Sequence, residues 1–296
     1  MKKWLKRIGI VIGALTLLTA AFLSYAYFVE PRQFVIVTET LAVPNWSPKL
    51  NGFRVVAIAD LHTGSNYAPP ERIRYVVEQA NAQDPDLIVL LGDYVSESKW
   101  DREMRNRPEG TDLTELKIPV ETIAESLRGL KAKYGVFAII GNHDWYHNEQ
   151  KIHRLLEEIG GINVLNNEII EIDTESGDKV RVWGIEDLYR NRKVPPEPFN
   201  VLAEKRNVIA LTHNPDSLLT APDGFSLMFS GHTHGGQLNW PILGPKAVFN
   251  DPRFMDGHAS VDGKHVYVTS GVGTSVIPFR FRVPPEIAVI TINSVE

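Results

Sequence analysis

From Ile8 to Val29 the chain runs for 22 residues without a charge. A helix rising about 1.5 Å per residue over that length can cross a hydrocarbon core of about 30 Å. Such a run must lie in a bilayer, be buried, or be removed. Lys2, Lys3, Lys6 and Arg7 precede it with no acid among them, and Tyr25, Tyr27 and Phe28 sit at its far end. Basic residues stay on the cytoplasmic side and aromatic rings favour the interface, so residues 1–30 read as an anchor with the body of the chain outside the cytoplasm. The alternative is a cleavable signal peptide, with Ser24-Tyr25-Ala26 as a small-x-small cleavage site. Length favours the anchor, since the apolar region of a signal peptide spans about 7–15 residues. No paired arginines precede the run, so nothing points to the twin-arginine route.

Charge separates the same two parts. The 296 residues carry 31 Lys plus Arg against 36 Asp plus Glu, a net charge of −5. Four of those cations belong to the basic flank, which leaves 27 against 36, or −9, in the body. An acidic body gives no footing for bulk attraction to nucleic acid, and none is expected. Hydrophobic residues make up 43%, enough for a core, and charged residues 23%, which excludes disorder and coiled coil. The absence of cysteine excludes disulfides, thiolate metal sites and cysteine nucleophiles.

Residues 31–53 read as a Pro-bearing linker in which Phe34 to Val37 alternates like an edge strand, and 54–296 as one catalytic domain. Apolar runs and helical periodicity then alternate. Strands are expected at Arg54 to Asp60, Asp86 to Asp93 and Val136 to Ile140, with helices at Pro69 to Ala82, Ile118 to Lys131 and Glu149 to Ile159. Further strands follow at Ile169 to Ile172, Val180 to Ile185, Val208 to Thr212, Phe225 to Ser230, His265 to Thr269 and Ile287 to Ile292. The fold class is α/β with a β-rich second half.

Five polar segments each follow an apolar run: Asp60-Leu61-His62, Gly92-Asp93, Gly141-Asn142-His143-Asp144, Thr212-His213-Asn214 and Gly231-His232-Thr233-His234. Ligands of open α/β sheets bind beyond the carboxyl ends of strands, where loops distant in sequence converge. Any one segment alone reads as structural: Asp93 as a cap, Asn142 as a turn residue, a lone histidine as a hydrogen-bonder. Five together read as a metal site. Oxygen and imidazole without thiolate suit Mn²⁺, Fe or Zn²⁺, in numbers sufficient for two ions sharing a carboxylate.

This order of motifs resembles the calcineurin-like metallophosphoesterase superfamily, from about Arg54 to Ile292. The resemblance implies a four-layer α/β fold, a two-sheet β-sandwich flanked by helices, here preceded by a transmembrane helix. It implies two divalent cations, manganese favoured, with Asp60, His62 and His234 on one, Asn142, His213 and His232 on the other, and Asp93 bridging them. His143 then stands beside the metals as general acid or charge stabiliser. The implied reaction is hydrolysis of a phosphodiester or pyrophosphate by a hydroxide shared between the ions, which also stabilise the attacking and departing oxygens. Asp144 either orients a neighbour or caps the helix that starts near it.

The chain departs from the Ser/Thr protein phosphatases of that superfamily. They continue Gly-Asp-x-x-Asp-Arg-Gly and use Gly-Asn-His-Glu, whereas Ser96 stands here where an acid would orient the catalytic histidine, and Asp144 replaces the Glu. Protein phosphatase activity is not expected, and the partner of His143 is left open. The apolar leader, the Gly231 to Gln237 stretch, Gly271-Val272-Gly273, Arg280 and Pro285-Glu286-Ile287 resemble bacterial membrane-associated enzymes of the UDP-2,3-diacylglucosamine pyrophosphatase type. That implies a phosphorylated small-molecule or lipid substrate, a place in lipid A synthesis, and a single-pass inner-membrane protein. The flank puts the body in the periplasm, yet UDP-linked precursors are expected on the cytoplasmic face.

Several residues are candidates for facing substrate. The excursion from Glu97 to Glu115, with Trp100, Arg102, Met104, Arg105 and Arg107, reads as a lid or a solvated loop. The segment from Gln237 to Asp256, with Trp240, Ile242, Leu243, Phe249 and Phe254, reads as a pocket wall or as packing on the body. Arg280 and Arg282 read as phosphate clamps or as surface and core-edge residues. Trp145, Tyr146 and His147 are expected on the rim. The competing functions are a membrane-tethered, non-catalytic metal-binding module and a nuclease or cyclic-nucleotide phosphodiesterase.

Overall fold

In a computed structural model, residues 2–97, 115–187, 194, 199, 204–240, 244–245 and 251–295 are described. The first helix, α1 (Lys2–Ser24), continues without a break through Tyr25–Val29 and Glu30–Arg32. The first half of the body then runs β1 (Val35–Val43), β2 (Phe53–Ile58), α2 (Pro70–Asn81), β3 (Leu87–Leu90), α3 (Val120–Leu127), β4 (Val136–Ala138), α4 (Asn142–Glu158) and β5 (Asn163–Val164). The second half is β-rich: β6 (Glu168–Asp173), β7 (Lys179–Gly184), β8 (Val208–Leu211), β9 (Leu227–Ser230), β10 (Asn239–Trp240), β11 (Gly244–Pro245), β12 (Gly257–Val261), β13 (Lys264–Val268) and β14 (Glu286–Ser294).

Among the described residues these strands form two six-stranded mixed sheets, β1-β14-β2-β3-β4-β5 and β12-β13-β9-β8-β7-β6, with a small β10-β11 ribbon. The stretch expected to alternate only from Phe34 to Val37 extends to Val43 and pairs in parallel with β14 along its whole length. The segment between the apolar helix and the first motif is thus the edge of the first sheet.

Side-chain alternation sorts each strand between two layers. On β2 and β3, Val55, Ala57, Leu87 and Val89 face the second sheet, where they meet Val182, Ile209, Leu211 and Phe229. Their neighbours Val56, Ile58, Ile88 and Leu90 face outward under Ile73, Val76, Ile123 and Leu156 of the three body helices. Burial on both faces explains why these strands read as continuous apolar runs. The outer face of the second sheet is closed by Phe199, Leu218, Phe225 and Phe254. The result is a two-sheet sandwich flanked by helices.

Local chemistry moves one boundary. The helix expected from Glu149 starts at Asn142, inside the motif, and is interrupted at Asn148 (φ −166°, ψ 91°). The Asn148 side chain accepts from Lys151 N and caps the second segment, the part that periodicity predicts.

Candidate metal centre

Strands β2, β3 and β4 lie side by side and parallel, as do β8 and β9 in the facing sheet. Each ends in one of the five polar segments, so all five loops meet at one end of the sandwich. Asp60, His62, Asp93, His232 and His234 all take positive φ, between 38° and 70°. These tight turns at strand ends aim the side chains inward at a cost in backbone strain. Glycine is required where loops cross: a Cβ on Gly231 would lie 2.5 Å from Asp60 Oδ2, and one on Gly141 would overlap Asp93 Oδ1.

The seven residues expected to bind metal come together. Asp60, His62 and His234 form one cluster, and Asp93, His213 and His232 another, each with ligand atoms within 4.8 Å of one another. His213 Nε2 lies 3.1 Å from Asn142 Oδ1, which adds Asn142 to the second cluster. Asp93 Oδ2 stands between the two, 3.5 Å from His62 Nε2 and 3.2 Å from His213 Nε2.

The donor set fits cations. His62 Nδ1 lies 3.1 Å from Val95 O, and His213 Nδ1 lies 2.7 Å from Leu91 O. A carbonyl can only accept, so each Nδ1 carries a proton and each ring turns its Nε2 toward the Asp93 oxygen. His62 Nε2 also lies 3.2 Å from His234 Nε2, and His213 Nε2 lies 3.1 Å from His232 Nδ1. Imidazole nitrogens converging on a carboxylate need a positive charge between them, a cation or a proton. Buried His234 Nδ1 has no hydrogen-bond partner among the described residues.

Electrostatics agree. Burial and the charge of His143 push His62 down to about 4, and burial with the charge of His213 pushes His232 down to about 3. Both are neutral at pH 7 and free to offer a lone pair. Burial raises Asp60 to about 7. Burial opposes charge on His213, but Asp93 outweighs it and holds that imidazolium well above its usual range. Without a cation, a proton takes the cation's place against Asp93.

His143 sits beside the first cluster, its ring 4.8 Å from that of His62 and nearly perpendicular. Its Nδ1 is bracketed by Glu97 Oε1 at 2.9 Å and Oε2 at 3.0 Å, and its Nε2 lies 3.3 Å from Ser275 Oγ. Glu97 supplies the partner left open at Ser96. Burial disfavours charge on His143, but the Asp93 field and the Glu97 bond prevail and push it up to about 9. Asp144 does both things expected of it. It accepts from Gly141 N at the helix start, and from Asp93 N, Tyr94 N and Val95 N, which fixes the Asp93 loop.

Arg280 is no phosphate clamp. It is fully buried and donates to the carbonyls of Ser270, Gly271, Gly273, Val283 and Pro284. Glu286 holds the same turn through Thr269 Oγ1 and Ser270 N. The turn in turn backs the first motif, with Gly273 N donating to Asp60 O at 2.7 Å. Arg282 is exposed. Gln237 clamps the loop beyond, accepting from Ser275 N and donating to Ile277 O and Phe279 O. Phe254 packs in the body, whereas Trp240 meets Phe22 of the apolar helix at 4.8 Å. Trp100, Arg102, Met104, Arg105, Arg107, Ile242, Leu243 and Phe249 lie outside the described residues. Sequence reasoning missed Glu97, Ser275 and Gln237 as parts of the site. Glu97, the first acid after Gly92-Asp93, carried the one usable signal.

Comparison with known proteins agrees with this geometry. Residues 53–236, more than half of the chain, match the family model described as calcineurin-like phosphoesterase. The chain is 29% identical to the uncharacterized metallophosphoesterase YkuE of Bacillus subtilis, covering 97% of this chain and 94% of that protein. It is 31% identical to the phosphodiesterase YaeI of Escherichia coli, covering 94% and 95%. A Danio rerio transmembrane protein with metallophosphoesterase domain is 27% identical, over 94% of this chain and 61% of that protein.

Proposed function

The chain belongs to the calcineurin-like phosphoesterase family and is a metal-dependent phosphoester hydrolase, and from that premise we propose that it uses two divalent cations, preferably Mn²⁺, to cleave a lipid-linked phosphodiester or pyrophosphate. The observation that carries the two-ion reading is the single oxygen Asp93 Oδ2, which faces both His62 and His213. Asp60, His62 and His234 would hold one ion, and Asn142, His213 and His232 the other, with Asp93 shared.

When bound, such ions supply Lewis acidity and lower the pKa of a water. The chain's own residues do the rest. The carbonyls of Val95 and Leu91 fix two imidazole tautomers, and Asp144 holds the loop that presents Asp93. Glu97 holds His143 by Nδ1, so that Nε2 delivers a proton to the departing oxygen or stabilises its charge.

The lipid-linked substrate is favoured by the apolar helix, long enough to cross a membrane and ending against the body. Phe22 packs on Trp240 and Phe281, and Ala26 is buried, contacts that a cleaved leader would forfeit. We therefore read residues 1–30 as an uncleaved anchor in the inner membrane, amino terminus inside and body in the periplasm. A reporter fused after Glu296 tests that side. Purified full-length protein with Mn²⁺ should hydrolyse bis-p-nitrophenyl phosphate, and both a chelator and Asp93→Ala should abolish it. Hydrolysis that survives either treatment overturns the two-ion reading. Release of UMP from UDP-2,3-diacylglucosamine tests the narrower substrate, and its absence from an otherwise active enzyme removes that substrate alone.

A further inference from the structure

Beside His143, the rim of the site is tied to the end of the apolar helix. Arg280 N donates to Ala26 O at 3.0 Å, and Asn66 Nδ2 bridges Tyr27 O at 3.0 Å to Pro278 O at 2.7 Å. The Tyr27 ring meets the Phe279 ring at 5.7 Å, and Phe22, five residues deeper in the helix, meets Phe281 and Trp240 at 4.8 Å each. This same loop begins at Ser275, the residue that touches His143 Nε2.

The depth of these contacts follows from helix geometry. Twenty residues beginning at Ile8 rise about 30 Å, the thickness of a hydrocarbon core, and end at Tyr27. The points at which the loop is fastened therefore lie where the helix leaves the hydrocarbon. Phe22 lies about 7 Å deeper, so Trp240 and Phe281 reach below that level with it. At the outer edge of the loop, Val276 is 85% exposed and takes φ +61°, a strained conformation for a β-branched residue. Only Ile277 separates it from Pro278, so it stands within about 7 Å of the bonded carbonyl. Phe28, Val29 and Pro278 are exposed as well. An apolar residue strained outward into solvent, beside an exposed apolar patch and continuous with a helix that can span a bilayer, fits a lipid surface.

We infer that the segment from Ser275 to Phe281, with Trp240, is seated in the bilayer interface, so that the site takes a phosphoester carried on a lipid of the same membrane. This deepens the proposed phosphohydrolase reading and rests on it. Gln237 and Ser275 then connect the seated loop to His143, and a headgroup phosphate enters alongside the loop without leaving the interface.

The native chain has no cysteine, so one introduced thiol labels uniquely. Full-length Val276→Cys carrying a nitroxide is reconstituted into phosphatidylethanolamine–phosphatidylglycerol vesicles, beside Leu219→Cys, an exposed position on the outer face of the second sheet. The label at 276 should be reached better by oxygen than by a water-soluble nickel chelate, and the label at 219 the reverse. Equal profiles overturn the seating. The second arm compares hexadecyl p-nitrophenyl phosphate in vesicles with soluble methyl p-nitrophenyl phosphate, which share one reacting group. Turnover should favour the vesicle-borne ester by about tenfold or more through local concentration. In Val276→Asp that ratio should fall by about fivefold, because a carboxylate resists the interface. An equal ratio in wild type and variant overturns the lipid inference. If neither ester is cleaved, the hydrolase reading fails, and the label arm still decides the seating.

Discussion

Glu97 meets the Nδ1 atom of His143 with both of its carboxylate oxygens, at 2.9 and 3.0 Å. One acid thus sets the rotation of the ring and keeps Nδ1 protonated, leaving Nε2 toward Ser275 Oγ at 3.3 Å. Both side chains are largely withdrawn from solvent, so the pair is weakly screened.

Glu97→Gln should therefore lower kcat by about 10- to 100-fold with little change in KM or in bound metal, because it disturbs a positioning group and no proposed ligand. The loss should be greater for an alkyl leaving group, which needs a proton, than for p-nitrophenolate, which departs without one. Equal losses on the two esters would remove His143 from leaving-group chemistry.

Asp144 accepts four backbone N–H groups, from Asp93, Tyr94, Val95 and Gly141. Asp144→Ala leaves those donors buried, at about 1–3 kcal/mol for each that finds no new partner. The metal-free variant should lose at least about 3 kcal/mol in denaturant unfolding and bind cations poorly. Wild-type stability in that assay would show that the loop holds itself.

The five motifs were legible because each joins two strong local signals, an apolar run and a polar cluster at its end. Their convergence needed only the rule that such loops meet beyond strand ends. Ser275 was not legible, and Glu97 only as the first acid after Gly92-Asp93: their contacts with His143 depend on loop paths, which have no period. Arg280 stayed open between a clamp and a core-edge residue because nothing local distinguishes a guanidinium in solvent from one spent on buried carbonyls. The start of α4 was missed because Asn142 and His143 are poor helix formers whose first turn is held from outside by Asp93, while Asp144 closes it onto Gly141 from within.

Protons and cations compete for the same oxygens and nitrogens. In the metal-free protein Asp60 is raised to about 7 by burial, and Asp93 keeps His213 protonated. With Asp60 and His213 as the proposed ligands, both protons leave when cations bind, so metal affinity should weaken as pH falls below 7, about tenfold per pH unit for each proton displaced. Calorimetry at pH 6 and pH 8 in buffers of different ionisation enthalpy counts those protons. No release at either pH would mean that these two groups are not ligands.

Arg280 yields a prediction that separates the two proposed metal positions. Burial lowers its pKa only to about 10, with Glu286, Asp60 and Glu30 opposing the fall, so at neutral pH it remains a charged hub among five carbonyls. Lysine keeps the charge but offers three donors without the planar fork, and Arg280→Lys cannot reach all five carbonyls. The Ser270 to Gly273 turn should then loosen. That turn supports Asp60 directly through Gly273 N, while Asn142, in α4, and His213, just past β8, make no hydrogen bond to it among the described residues. The variant should therefore bind one cation nearly as wild type and the other about tenfold or more weakly, as expected when the support of a ligand is lost. A titration that becomes biphasic in Arg280→Lys shows this, whereas parallel weakening of both steps would mean that the turn supports the whole centre and not the Asp60 half.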